Sequence, residues 1–271
     1  MGELLSGRHA LITGGGSGIG LACARKLAAD GARVSLMGRN QDKLNAAAAE
    51  FADPSRVHVF AGDVAQAEDV ARIVGEVDAI EPLTIAIANA GTGDIAPLVA
   101  TDDARWQQVL DTNLNGTYQL FKQAASCIGR AGGGAMCAIS SIAGVRTHRF
   151  MHAYCVSKAG IDMLVRTCAD ELGTAGVRVN SVCPGLVDTE IAQGLFGSEE
   201  VLADYLDCMP LARTGVVDDI ANAVRFLCGP ESSWITGVSL SVDGGHHLRR
   251  GPNYDSFSRA MFGDDLTEGK F

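Results

Sequence analysis

The sequence predicts an α/β domain built on a doubly wound parallel sheet, and three observations carry that prediction. Apolar, β-rich runs alternate with segments of helical period along the chain, the pattern of strands joined by crossover helices. Several runs, such as Leu83-Thr84-Ile85-Ala86-Ile87-Ala88, are apolar throughout, as strands covered on both faces are. A glycine-rich turn, Thr13-Gly14-Gly15-Gly16-Ser17-Gly18-Ile19-Gly20, joins the first such run to the first helical segment. The 271 residues are 47% hydrophobic, enough for a sizeable core, and no repeat or low-complexity linker divides them.

Strands are expected at His9–Thr13, Arg33–Gly38, Val57–Gly62, Leu83–Asn89, Ala135–Ser140, Arg178–Cys183 and Val238–Val242. Helices are expected at Gly18–Ala29, Gln41–Phe51, Ala67–Ala79, Asp102–Gly129, Ala153–Gly173 and Val217–Leu227. Crossovers between parallel strands should be right-handed. Asn113 falls inside the long segment Asp102–Gly129, where a polar residue invites a kink or a buried water. The stretch 188–211 is irregular with short helical pieces and follows a late strand, where open α/β sheets place ligands; it reads as a substrate lid. The domain is expected to span residues 1–245. In the tail, 246–271, Phe257, Met261 and Phe262 lie at helical spacing and suggest a short helix docking on a neighbouring subunit.

Composition narrows the partners. A formal charge of −10 argues against nucleic acid. No apolar run reaches the roughly 18 residues of a membrane span, and the first residues lack the pattern of a signal peptide. The eight cysteines are scattered, with no C-x-x-C pair and no zinc spacing, so a reducing cytoplasm and no metal are expected.

The glycine turn is a phosphate-binding signal. A helix N-terminus presents unpaired N–H groups, and glycines let a diphosphate approach the backbone. Its spacing departs from G-x-G-x-x-G and lacks the Lys-Ser/Thr of a P-loop; Gly14, Gly18 and Gly20 are its fixed points. Tyr154 and Lys158 stand four apart on one helix face. A phenol with an ordinary pKa near 10 is a poor acid or base at neutral pH, and a close ammonium is expected to lower it, making Tyr154 a usable general acid/base. Ser141 follows the strand Ala135–Ser140 at the edge that carries the glycine turn, placed to orient a carbonyl, while alternation turns Ser140 the other way.

Together these pieces resemble the short-chain dehydrogenase/reductase family: Thr13-Gly14-x-x-x-Gly18-Ile19-Gly20, Asp63-Val64, Asn89-Ala90-Gly91, Asn113, Ser141, Tyr154-x-x-x-Lys158 and Pro184-Gly185, in the family's order over residues 8–245. The resemblance implies one Rossmann-like, three-layer domain of seven parallel strands, a homotetramer, and a tetrad. In it Tyr154 is the acid/base, Lys158 tunes it and binds the nicotinamide ribose, Ser141 holds the carbonyl and Asn113 places a relay water. It further implies cofactor contacts at Gly14, Ser17, Gly18, Ile19, Gly20, Asp63 (adenine), Val64, Asn89, Ala90, Gly91, Pro184, Gly185, Val187 and Thr189 (carboxamide).

Where NAD-preferring relatives resembling this chain place an Asp, Gly38 stands, and Arg39 follows. A guanidinium suits a 2′-phosphate, so NADP(H) is favoured, with NAD(H) possible because Ser17 occupies a position that many NADP-using relatives make basic. The reaction expected is interconversion of a secondary alcohol and a ketone of a hydrophobic small molecule, suggested by Ile191, Leu195 and Phe196 in the lid. Arg146, His148, Arg149 and His152 either meet an anionic substrate or face solvent. A lone Arg130 near the cleft disfavours a carrier-protein substrate. Two alternatives stand beside this: an NAD-dependent dihydrodiol-type dehydrogenase, and a catalytically silent cofactor-sensing protein.

Overall fold

The computed structural model describes residues 3–270, with the side chain of Ile191 outside the described set. Seven strands form one parallel sheet in the order β3-β2-β1-β4-β5-β6-β7: β1 His9–Thr13, β2 Arg33–Gly38, β3 Val57–Ala61, β4 Ile85–Ala88, β5 Gly134–Ile139, β6 Val177–Pro184 and β7 Ser239–Val242. β1 and β4 are buried along their whole length, which is why Ala10–Ile12 and Ile85–Ala88 read as unbroken apolar runs.

Among the described residues, nine α-helices lie between the strands and a tenth follows β7. One layer holds α1 (Gly18–Ala29), α2 (Gln41–Ala49) and α9 (Val217–Cys228). Its core joins Leu27, Leu44, Ile220 and Val224 to the sheet residues Ile12, Leu36 and Ile87. The opposite layer holds α3 (Ala67–Ile80), α5 (Gly116–Arg130) and α6 (His152–Leu172); Ile73, Phe121, Ile161 and Val165 pack there on Leu11, Met37 and Met136. Burying each of these large side chains stabilises the fold by about 1.5–3 kcal/mol. The chain runs outward from β1 to β3 and then returns to β4, so the crossovers diverge between β1 and β4. A cleft opens at the carboxyl ends of those two strands.

Two stretches depart from their sequence reading. The single helix expected over Asp102–Gly129 is two helices, α4 (Asp103–Leu110) and α5, joined through a wide π-helical turn at Asp111–Asn115. Asn113 is the cause: its side chain leaves the helix to bond the Thr92 backbone. The lid carries more helix than expected, with a short turn at Glu190–Ala192, α7 (Gln193–Phe196) and α8 (Glu199–Cys208).

The tail forms α10 (Asp255–Glu268), broken at Gly263, where φ is +82°. In the single chain it lies on that chain's own lid. Tyr254, fully buried, meets Tyr205 of α8 hydroxyl to hydroxyl, and Phe257 packs on the same apolar cluster while Met261 is exposed. Arg250 grips Asp204 of α8 through both guanidinium nitrogens.

Candidate active site

The glycine turn closes on itself around Asn89. Gly14 and Gly18 take positive φ, +64° and +52°, a conformation that side chains resist. Gly20 has no room for a side chain: a Cβ there would stand 2.4 Å from both Asn89 Nδ2 and the Gly14 carbonyl oxygen. Asn89 Nδ2 donates to the carbonyls of Thr13 (2.9 Å) and Gly14 (3.2 Å), and the N–H groups of Asn89 and Ala90 both donate to Thr13 Oγ1. The end of β4 is thus stitched to the end of β1. Ser17 opens α1 without a side-chain capping bond, and Ile19 packs into the core behind it. With no side-chain cap, the first N–H groups of α1 at the carboxyl edge of the sheet make a cradle that fits a dinucleotide diphosphate.

On one side of this cradle lies a cavity of about 360 Å³ lined by Arg39, Asp63, Gln107, Asp111 and Thr112 among others. Val64 is buried against Gly116 beneath it. On the other side, Thr189 lies beside Gly18, 3.7 Å from where a Cβ would stand. Pro184 ends β6, Gly185 lies against Asp243, and Val187 pairs with Gly215. Lys43 is a cation that sequence reasoning passed over. Its stem lies against Gly16, and its ammonium pairs with Glu190 of the lid. Its position in the first turn of α2 carries no motif, so only the fold reveals it.

The tetrad residues converge at the carboxyl ends of β4 and β5. Lys158, buried, donates from Nζ to the Ile139 carbonyl at 2.7 Å, and that ammonium lies 5.5 Å from the centre of the Tyr154 ring. A Cβ at Gly91 would sit 3.4 Å from Asn113 Oδ1 and 3.8 Å from Lys158 Nζ, so the glycine keeps these groups close. Asn113 accepts from the Thr92 N–H at 2.8 Å and donates to the Thr92 carbonyl and to Ser157 Oγ. Ser141 caps the following turn by accepting from the Ala143 N–H, and its hydroxyl acts on the Tyr154 phenol, favouring the ionised form. Ser140 does point away, donating to the Lys158 carbonyl in the core.

The electrostatics correct one expectation. The phenol of Tyr154 is not lowered in the protein alone: burial pushes it up, and the Ser141 hydrogen bond offsets this only in part. The ammonium is itself starved of water, and burial brings Lys158 down to about 8. Desolvation penalises the charged form of both groups.

The segment before Tyr154 is claimed largely by the tail. Arg146 donates to the His247 carbonyl at 2.7 Å. Arg149 pairs with Asp255, donates to the Thr267 carbonyl at 2.7 Å, and covers the Phe150 ring. His148 is buried between Tyr205, His246 and Tyr254, and burial holds it near 4. His152 keeps a buried, unpartnered Nε2. Phe150, Leu186, Ile95, Met151, Leu195 and Phe196 share one apolar cluster there. Among the described residues, no helix is long and apolar enough to cross a membrane, and no group of His, Cys, Asp or Glu is arranged to hold a metal ion.

Comparison with known proteins agrees with this arrangement. A family model described as enoyl-(acyl carrier protein) reductase matches residues 14–247. Galactitol 2-dehydrogenase (L-tagatose-forming) of Cereibacter sphaeroides is 36% identical over 89% of this chain and 96% of its own. A short-chain dehydrogenase/reductase of Mycobacterium ulcerans superimposes with a TM-score of 0.94 at 40% identity, covering 98% of both chains, tail included. Two further solved structures, each 30% identical over 90% of this chain and 96% of their own, carry nicotinamides. They are gluconate 5-dehydrogenase of Burkholderia cenocepacia with NADP and tartrate (TM-score 0.87) and 7α-hydroxysteroid dehydrogenase with NADH and 7-oxoglycochenodeoxycholic acid (TM-score 0.86). The chain is a member of the short-chain dehydrogenase/reductase family, a nicotinamide-binding oxidoreductase acting on CH–OH groups.

Proposed function

We propose that this enzyme interconverts a secondary alcohol and a ketone with NADP(H), through Tyr154 as general acid/base. The observation that carries the reading is the convergence of Ser141, Tyr154, Lys158 and Asn113 beside the glycine cradle. The nicotinamide supplies or accepts the hydride at carbon. The protein's part is the proton and the oxygen. Ser141 holds the substrate oxygen, and Tyr154 takes the hydroxyl proton during oxidation and returns it during reduction. Burial of the phenol must be offset by positive charge, which Lys158 and a bound oxidised nicotinamide would supply together in the same cleft. Asn113 fixes the Thr92 segment against that ammonium. Tyr154→Phe is expected to lower kcat by about 10²–10⁴-fold, the usual worth of general acid–base catalysis, with cofactor affinity changed little. Near-normal kcat in that variant would overturn the assignment.

The NADP(H) preference rests on Arg39 in the adenosine-side cavity and on Gly38, which presents no carboxylate to repel a 2′-phosphate. Arg39→Ala should reduce kcat/KM for NADPH by about tenfold or more, as loss of a charge-assisted pair does, and leave NADH nearly untouched. Equal use of both nicotinamides, unaltered in the variant, would assign NAD(H) instead. The apolar cluster of Phe150, Leu186, Leu195 and Phe196 favours a substrate with an apolar body. A panel of apolar secondary alcohols run beside galactitol and gluconate decides this, and higher kcat/KM for the polyols would overturn it.

A further inference from the structure

Two buried groups of opposite charge share one face of α6 without touching. Lys158 and Asp162 are 4% and 3% exposed, and neither forms an ion pair within 4.0 Å among the described residues. They are four residues apart, so they and Tyr154 stack on one helix face at successive turns. The Asp162 carboxylate is held from outside the helix. Ser181 of β6 donates to its Oδ1 at 2.8 Å, backed by Ser239 Oγ of β7 at 2.9 Å. Gly144 gives it room, since a Cβ there would stand 2.9 Å from Asp162 Oδ2. The sequence motif passes over this residue, and the tetrad does not include it.

We propose that Asp162 is a positioning residue for the catalytic lysine: its buried carboxylate keeps the Lys158 ammonium charged, and so able to bind the nicotinamide ribose and acidify Tyr154. This rests on the role given to Lys158 above. The physical argument is desolvation. Among the described residues the buried ammonium has one protein acceptor, the Ile139 carbonyl at the end of β5, for three N–H donors. Without a nearby anion such a group would lose its proton. The other groups around it offer no second anion at neutral pH. Tyr154 and the β6 thiol of Cys183 are both pushed up by burial, and Asn113, Ser140 and Ser141 are neutral. Arg166, one turn beyond, is exposed and donates only to the Asp162 backbone carbonyl. Attraction from Asp162 opposes the burial that brings Lys158 to about 8.

The test is Asp162→Asn, which keeps an acceptor for Ser181 and removes only the charge. The Lys158 ionisation midpoint is read from acetic anhydride labelling against pH, with the peptide quantified by mass spectrometry and no cofactor present. The midpoint should move to lower pH by about one unit. NADPH affinity, followed by its fluorescence, should fall about threefold more than in the wild type between pH 7 and 8. Asp162→Ser, smaller and likewise uncharged, should shift the midpoint in the same way and serves if the Asn variant fails to fold. Ser181→Ala keeps the charge and should move the midpoint less. Coincident midpoints in wild type and Asp162→Asn would overturn the proposal, as would an equal shift in Ser181→Ala. A shifted midpoint with no NADPH bound by the wild type at any pH would support the electrostatic role and overturn the oxidoreductase reading instead.

Discussion

The two walls of the cleft are built by different means. At the cofactor end the contacts are made to backbone: Gly20 and Gly14 press together, the Asn89 side chain bonds two carbonyls of the turn, and Thr13 Oγ1 accepts from two N–H groups of the neighbouring strand end. At the lid end, side chains meet side chains. Tyr205 meets Tyr254, Arg250 holds Asp204, and Arg149 reaches Asp255, each between elements far apart in the chain. The first wall has no slack, because backbone cannot rotate away from an added atom. The second can yield one pair at a time. A rigid cradle for the invariant part of the reaction and an adjustable wall for the variable part is the division that a family of one cofactor chemistry and many substrates requires.

The sharpest way to break that comparison is Gly20→Ala. Its Cβ would stand 2.4 Å from the Gly14 oxygen, a backbone atom that cannot swing aside. Overpacking typically costs about 1–3 kcal/mol, and a clash with fixed backbone belongs at the upper end of that range. A fall in Tm together with loss of detectable NADPH binding is expected, measured by thermal melting and fluorescence titration. An alanine variant with wild-type Tm and affinity would show that the cradle is as yielding as the lid.

Acid should find the other wall first. Burial holds His148 near 4, against an ordinary value near 6.5. Between those values the unfolded chain binds a proton that the folded chain refuses, so stability is full above pH 6.5 and is lost as pH falls toward 4. The linkage corresponds to at most about 3 kcal/mol. His246, packed against His148, is lowered in the same direction by its burial. Hydrogen exchange at pH 5 should therefore rise in α8 and in residues 246–258 before it rises at the glycine turn. His148→Gln should flatten the pH dependence of unfolding between pH 6.5 and 4. Uniform acceleration across both walls would place the acid-sensitive group elsewhere.

The same contrast explains what the sequence discloses. Strands β1 and β2 and helix α1 lie where periodicity and the glycine turn put them, because local pattern and tertiary burial agree there. β4 is shorter than its apolar run: Leu83 and Thr84 are core residues before the strand begins, and Thr84 is turned into bonds with His9. The π-turn at Asp111–Asn115 follows from a bond between Asn113 and Thr92, 21 residues away, so periodicity announces at most a disturbance. The lid–tail wall is the least legible part. Phe257, Met261 and Phe262 carry the spacing of a helix, but what that helix packs on is decided by Arg149, 106 residues from Asp255, and by Asp204, 46 residues from Arg250. The raised Tyr154 is likewise a product of burial, which no spacing encodes.

The smallest effect tests whether that side-chain wall is additive. Arg250 is more than half exposed, at 54%, while Asp204 is 17% exposed and its carboxyl is lowered, first by Arg250 and, against its burial, by the Asn253 N–H. A solvent-facing pair of this kind contributes under about 1 kcal/mol even with two hydrogen bonds. Arg250→Ala should leave global Tm nearly unchanged, since the Tyr205–Tyr254 contact and Arg149 still anchor the tail. It should raise hydrogen exchange in residues 250–258 and in α8 together, because the two are joined at that point. Substrate KM should change within about fivefold, the equivalent of 1 kcal/mol, and kcat should stay constant. A large drop in kcat would mean that the lid wall reaches the proton-transfer groups, contrary to the division between the two walls.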